Sequence, residues 1–159
     1  MKKHIFPILY CVISILLITG CGAQASQEAV PEDTEIMLET TTVDGQEYYL
    51  LTSEEELLDI GDVYPLSGNY MLANDITMSG EWSPLGDSKN PFTGIFDGNG
   101  YTIYDLTAAP EANGFFGVAK DAVIRNVVLE NVNLDNINSF FPMVHYSTGT
   151  DIEGCSINE

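Results

Sequence analysis

Beyond residue 20 the chain holds one histidine, His145, and two cysteines, Cys21 and Cys155. That inventory does not supply a His/Cys zinc site and offers no disulfide framework. The His-Glu-x-x-His pattern of zinc hydrolases is absent. A Ser/His/Asp triad would have to use His145, which lies in Met143-Val-His-Tyr146, and no Gly-x-Ser-x-Gly elbow occurs anywhere; a structural histidine is the expectation. Glycoside hydrolysis needs only two carboxylates at a suitable separation. With 24 Asp and Glu in the chain some pair meets that criterion by chance, so their abundance decides nothing. No catalytic residue is assigned, and the chain is expected not to be an enzyme.

Binding chemistry has a few more candidates. Asp97-Gly-Asn-Gly100 places Asp97 and Asn99 oxygens at alternate positions, a spacing that suits a hard cation such as calcium. The twelve-residue calcium loop then fails at its last position, which is Ala108. A tight turn between Phe96 and Tyr101, using glycine for positive φ, explains the same residues and is preferred; no other cofactor is implied. Trp82, Tyr101 and Tyr104 are candidates for stacking on sugar rings, against a plain role in shielding sheet surface. Phe92, Phe96, Phe115 and Phe116 read as core. Cys155 reads as a buried, inert thiol, and Arg125 as an outward surface residue.

Charge narrows the partners. The formal net charge is −19, and past residue 20 only Lys89, Lys120 and Arg125 oppose all 24 acids. Such a surface repels phosphate backbones, excluding nucleic acid, and disfavours polyanionic substrates such as pectate. A length of 159 residues allows one ordinary domain and a small second piece.

The chain begins with Lys2, Lys3 and His4, followed by an apolar run from Ile5 to Thr19. Fifteen residues are short for a membrane span; with a basic start and small residues before the break, residues 1–20 read as a secretory signal. The break, Leu17-Ile-Thr-Gly-Cys21, resembles the lipobox of bacterial lipoproteins, which implies that Cys21 is acylated (labelled by palmitate) and becomes the new N-terminus. An ordinary signal peptide or an uncleaved anchor is the alternative. Several acyl chains anchor far better than one, so the expected location is extracytoplasmic and membrane-anchored, in a bacterial cell envelope. Residues 21–46 are acidic and polar with little periodicity, and are expected to be a disordered tether.

Residues 47–69 read as a strand, Glu47–Thr52, and a short helix with a Ser53-Glu-Glu-Glu56 capping box, ended by Gly61. The helix is expected to cap the open end of the β-structure that follows. From Tyr70 onward short β-type runs alternate with Gly, Asn and Asp turns. Ile103-Tyr-Asp-Leu106-Thr-Ala108 aligns with Ile124-Arg-Asn-Val127-Val-Leu129 and with Ile152-Glu-Gly-Cys155-Ser-Ile157, with apolar residues at positions one, four and six. Spacings of 21 residues from Ile103 to Ile124 and then 28 to Ile152, with Ile76 lying 27 before Ile103, suggest a solenoid whose isoleucines stack on one wall. The fold expected for residues 70–159 is therefore all-β, a short parallel β-helix. A β-sandwich would show strands every 8–12 residues and is the alternative.

Tyr70–Ile76, Trp82-Ser-Pro-Leu-Gly86 and above all Pro91–Leu106 resemble the start of a bacterial surface β-helix. That group is the pectin-lyase-like, right-handed β-helix set with GLUG-type repeats and the N-terminal region of M26-peptidase-like proteins. Gly114-Phe-Phe-Gly117 with Ala122–Leu129 resembles its next coil, and Ile152–Cys155 a later one. Ser139-Phe-Phe-Pro-Met-Val144 departs from the Gly-rich turn of the group, and the missing zinc motif means that peptidase activity does not carry over. The resemblance implies right-handed coils and a cell-surface role, in a short or truncated member. The function expected is a lipid-anchored, non-catalytic β-helix for adhesion or for binding glycans or proteins, with weak self-association through an open last coil. A carbohydrate-active enzyme or its remnant, and a fragment of a larger surface protein, are the alternatives.

Overall fold

Apolar runs of three to six residues, each closed by Asp, Asn or Gly, are too short for long strands and too regular in their breaks for a helix; they suit a chain that turns a corner every few residues. The structure, a computed structural model, describes residues 38–135 and 142–158. The elements in chain order are β1 (Thr40–Val43), β2 (Gln46–Leu51), α1 (Glu54–Leu58), β3 (Asn69–Leu72), β4 (Ile76–Thr77), β5 (Glu81–Trp82), β6 (Ile95–Asp97), β7 (Thr102–Tyr104), β8 (Thr107–Ala108), β9 (Phe116–Lys120), β10 (Val123–Arg125), β11 (Val128–Glu130), β12 (Val144–Thr148), β13 (Asp151–Glu153) and β14 (Ser156–Ile157). They wind into a β-solenoid of about three turns.

One wall is the sheet β1-β2-β3-β6-β10-β13, parallel throughout except for the β1–β2 hairpin at its edge. Its register stacks Tyr49, Tyr70, Phe96, Ile124 and Ile152 in one column. A second wall, β4-β7-β11-β14, stacks Ile76, Ile103, Leu129 and Ile157. The third side carries two short ladders, β5 with β8 and β9 with β12. Each coil covers the apolar face of the one before it, as a solenoid requires. Phe92, Phe96, Phe115 and Phe116 are fully buried, as expected, and meet in tilted or edge-on contacts 5.0–5.9 Å between centroids.

The expected single stack of Ile103, Ile124 and Ile152 needs correction. Ile124 pairs with Phe96 and Ile152, whereas Ile103 pairs with Ile76 and Leu129 on the second wall. The 27- and 28-residue spacings mark true coils; the 21-residue spacing links two different corners. In each aligned segment the third residue, Asp105, Asn126 or Gly154, adopts left-handed φ (58°, 55° and 62°) and turns the chain between strands. Corners that use the same chemistry look alike in sequence even when they occupy different sides. Ile152 is also 44% exposed, because no further described coil lies over it.

Residues 38–43, placed in the tether by sequence, instead carry strand β1, closed onto β2 through Asp44-Gly45, both in left-handed φ. That dipeptide is a type I′ hairpin signal, and pairing with β2 stabilises a strand whose own composition is polar. The rest of the tether, the signal segment 1–20 and Cys21 lie outside the described residues. In α1 the Ser53–Glu56 pairing is present: Ser53 Oγ accepts from the Glu56 amide, and the Glu56 side chain accepts from the Ser53 amide. Leu57 is fully buried. Glu54 ties this helix to the loop after β4, accepting from the Ser79 hydroxyl at 2.6 Å and from the Ser79 and Gly80 amides at 2.7 and 2.8 Å. Those bonds hold its carboxyl below the usual value, the Ser79 hydroxyl contributing most.

Candidate functional site

The sites suggested by sequence come apart once placed on the coils. Trp82 is buried in the core: its ring stacks on Phe115 at 4.5 Å, and Nε1 donates to the Phe115 carbonyl at 3.1 Å. A ring held on both its face and its polar edge offers nothing to a sugar, so the stacking role suggested for Trp82 is withdrawn. Tyr101 is half-buried and packs against the core. Tyr104 is half-buried on β7, between Thr77 and Glu130 of the neighbouring coils.

Asp97-Gly-Asn-Gly100 is a turn with Asn99 and Gly100 in left-handed φ. Asp97 is buried, and its carboxylate accepts from the Asn99 amide at 2.8 Å, from Asn126 Nδ2 at 3.2 Å and from Arg125 Nε at 2.7 Å. Asn99 Nδ2 donates to the Leu72 carbonyl of the previous coil. The Asp97 oxygens that a calcium ion would use therefore face internal donors, and among the described residues no group of three or more His, Cys, Asp or Glu side chains is placed to hold a metal. Gly98 serves close approach: a Cβ there would run into the Asn126 carbonyl of the next coil.

Arg125 does point outward, as expected, but it is not a free surface cation. Besides Asp97 it donates to the Tyr48 hydroxyl at 3.3 Å, and the bond to Asp97 raises its pKa above the usual value. Cys155 is half-buried rather than fully buried, with no further described coil over its column; desolvation pushes its thiol up, which leaves it a poor nucleophile. It stands in register with Val127, not with Leu106.

A different set of residues does converge. On the third side β9 and β12 run parallel with Val118 opposite Tyr146 and Lys120 opposite Thr148. Strand alternation sends Ala119 inward, where it is fully buried, and Val118 and Lys120 outward. With Pro91, Ser88 and His145 they line a hollow of about 430 Å³. Tyr146 is 62% exposed, among the most exposed large apolar side chains described. Lys120 is exposed and, unlike Arg125, makes no ion pair among the described residues. Among the described residues no carboxylate lines this hollow, in a chain with 24 of them. An adjoining hollow shares Ser88 and Val118 and is lined further on by Asn113 and Glu111. A larger one, about 530 Å³, sits beside α1 with Asp62, Glu81 and Asp87 on its lining.

The comparisons with known proteins return nothing. No family model matches the chain, and no curated protein or solved structure is significantly similar to it. The reading of the site therefore rests on its own geometry. Sequence reasoning overlooked Tyr146 and Lys120, although a signal existed. The 28-residue offset that carries Ile124 onto Ile152 also carries Val118 onto Tyr146 and Lys120 onto Thr148.

Proposed function

We propose that the chain is a lipid-anchored, extracytoplasmic binding module whose β-solenoid, right-handed by its resemblance to bacterial surface β-helices, holds a glycan on its third side without turning it over. The observation that carries this is the hollow of Tyr146, Lys120 and His145. An exposed aromatic face beside apolar Val118 and Pro91 suits the C–H face of a sugar ring, and the hydroxyls of Ser88 and Thr148 suit its polar edge. Among the described residues the lining of the hollow holds no pair of carboxylates of the kind glycoside hydrolysis uses, which supports a reading of binding rather than hydrolysis. In this reading the acylated Cys21 holds the module at the membrane and the segment before β1 spaces it outward. Helix α1 closes the first coil, and the edge strands β13 and β14 would support weak self-association.

The test is a glycan array with the full chain in detergent micelles, together with a reducing-sugar release assay on the glycans that bind. Binding that falls at least severalfold in Tyr146→Ala, with no sugar released, is the expected result. Turnover of any glycan, lost on replacing one Asp or Glu, would move the enzyme reading ahead.

A further inference from the structure

The hollow is chemically unlike the rest of the surface. From Gly22 through Ser88 the chain has no basic residue, and Arg125 is consumed by Asp97. Lys120 is thus one of very few cations left for an outside partner, and it stands beside the exposed ring of Tyr146 in a lining free of acids. The acids nearest in sequence stand outside the lining. Asp87 Oδ1 accepts from the Lys89 and Asn90 amides, at 2.6 and 2.8 Å, and Asp121 sits at a left-handed corner with its carboxylate beside Gly149. An ammonium at the rim of an apolar, aromatic hollow is desolvated on one side, where a single anionic partner gains most from it. The net charge of −19 works against a partner with many negative charges, because every further anion meets the field of the whole domain.

We infer that this hollow takes a saccharide bearing a single carboxylate, its ring on Tyr146 and its carboxylate on the Lys120 ammonium. This rests on the glycan-binding reading and adds the class of sugar. A sugar acid with one carboxylate uses both features at once; a neutral sugar leaves Lys120 unused, and a polyuronate brings further charges beside the single lysine of the lining.

The experiment is ligand-observed NMR titration of the full chain in detergent micelles with glucuronate, its methyl ester, glucose and a galacturonate oligomer, at low and at 0.5 M salt. Glucuronate is expected to bind about fivefold tighter than the ester at low salt, with the advantage largely lost at high salt. Lys120→Gln should bring glucuronate down to the level of the ester, while Tyr146→Ala weakens all three monosaccharides. Both side chains are exposed, and Trp82 fluorescence verifies that the variants are folded. Equal affinity for acid and ester, an acid preference untouched by Lys120→Gln, or an oligomer that binds tighter than the monomer each overturns the single-carboxylate inference while leaving glycan binding intact. Absence of binding by every sugar overturns both.

Discussion

Removing the Arg125 side chain tests how the solenoid treats a charge inside its wall. Asp97 is buried on the outer face of the first wall, with its side chain 7% exposed, and takes three donors, of which Arg125 Nε at 2.7 Å is the only charged one. Arg125→Ala leaves the carboxylate with the Asn99 amide and the Asn126 side-chain amide. Loss of a hydrogen bond to a charged group costs about 1.5–3 kcal/mol. The Arg125 side chain is 32% exposed, so water replaces part of what is lost, and about 2 kcal/mol is the expected figure. Made in an Asp97→Asn background, the same change should cost about 1 kcal/mol less, since no charge is then stranded. Urea unfolding read by Trp82 fluorescence measures it, Trp82 being the only tryptophan and buried against Phe115. A loss within about 0.5 kcal/mol, the range of ordinary surface positions, would refute the pairing.

Ile124→Ala should cost about 2–5 kcal/mol in the same assay, because the side chain is fully buried between Phe96 and Ile152, whereas Ile152→Ala, 44% exposed, should cost no more than about 1.5 kcal/mol. Glu54 has a folded pKa below its ordinary 4.5, so its bonds to Ser79 and Gly80 contribute fully above that value and fade as pH falls through the folded one. Between pH 6 and pH 3 the wild type should therefore lose more stability than Glu54→Gln, by thermal unfolding at each pH; parallel losses would contradict the staple. Cys21→Ser should abolish labelling by a palmitate analogue and release the chain from the membrane fraction, and undiminished labelling would show that Cys21 is not the acylated residue.

The solenoid was legible because its corners are. Gly, Asn and Asp tolerate left-handed φ, and each closes a short apolar run, so the pattern of Ile103, Ile124 and Ile152 was visible without coordinates. Which corner each segment occupies was not visible, since Asp105 and Asn126 solve the same steric problem on different sides. Trp82 misled for a related reason: a large amphipathic ring reads equally as core or as platform until its indole N–H finds the Phe115 carbonyl. A calcium alternative stood beside the preferred turn at Asp97 because its partner Arg125 lies 28 residues away, one coil on, where no local motif could register it. The Tyr146 hollow escaped notice because its two strands are likewise contiguous only through the coil repeat. β1 was missed because a run such as Thr40–Val43 becomes a strand only when a hairpin partner supplies its hydrogen bonds.

The column Tyr49–Tyr70–Phe96–Ile124–Ile152 also fixes how the molecule would respond to mechanical load. A pull on the chain beyond β14, with the other end held at a surface, meets one strand of each wall at a time rather than a whole sheet in shear. Coils are then peeled singly, the least covered first. Each coil from Tyr70 onward releases the 26–28 residues between stacked positions, about 90 Å of extended chain at roughly 3.4 Å per residue, in exchange for about 4.8 Å of axial rise. The solenoid so loaded is a shock absorber with a fixed step, lengthening by whole coils while those nearer the anchor, with the β1–β2 hairpin at their edge, stay wound.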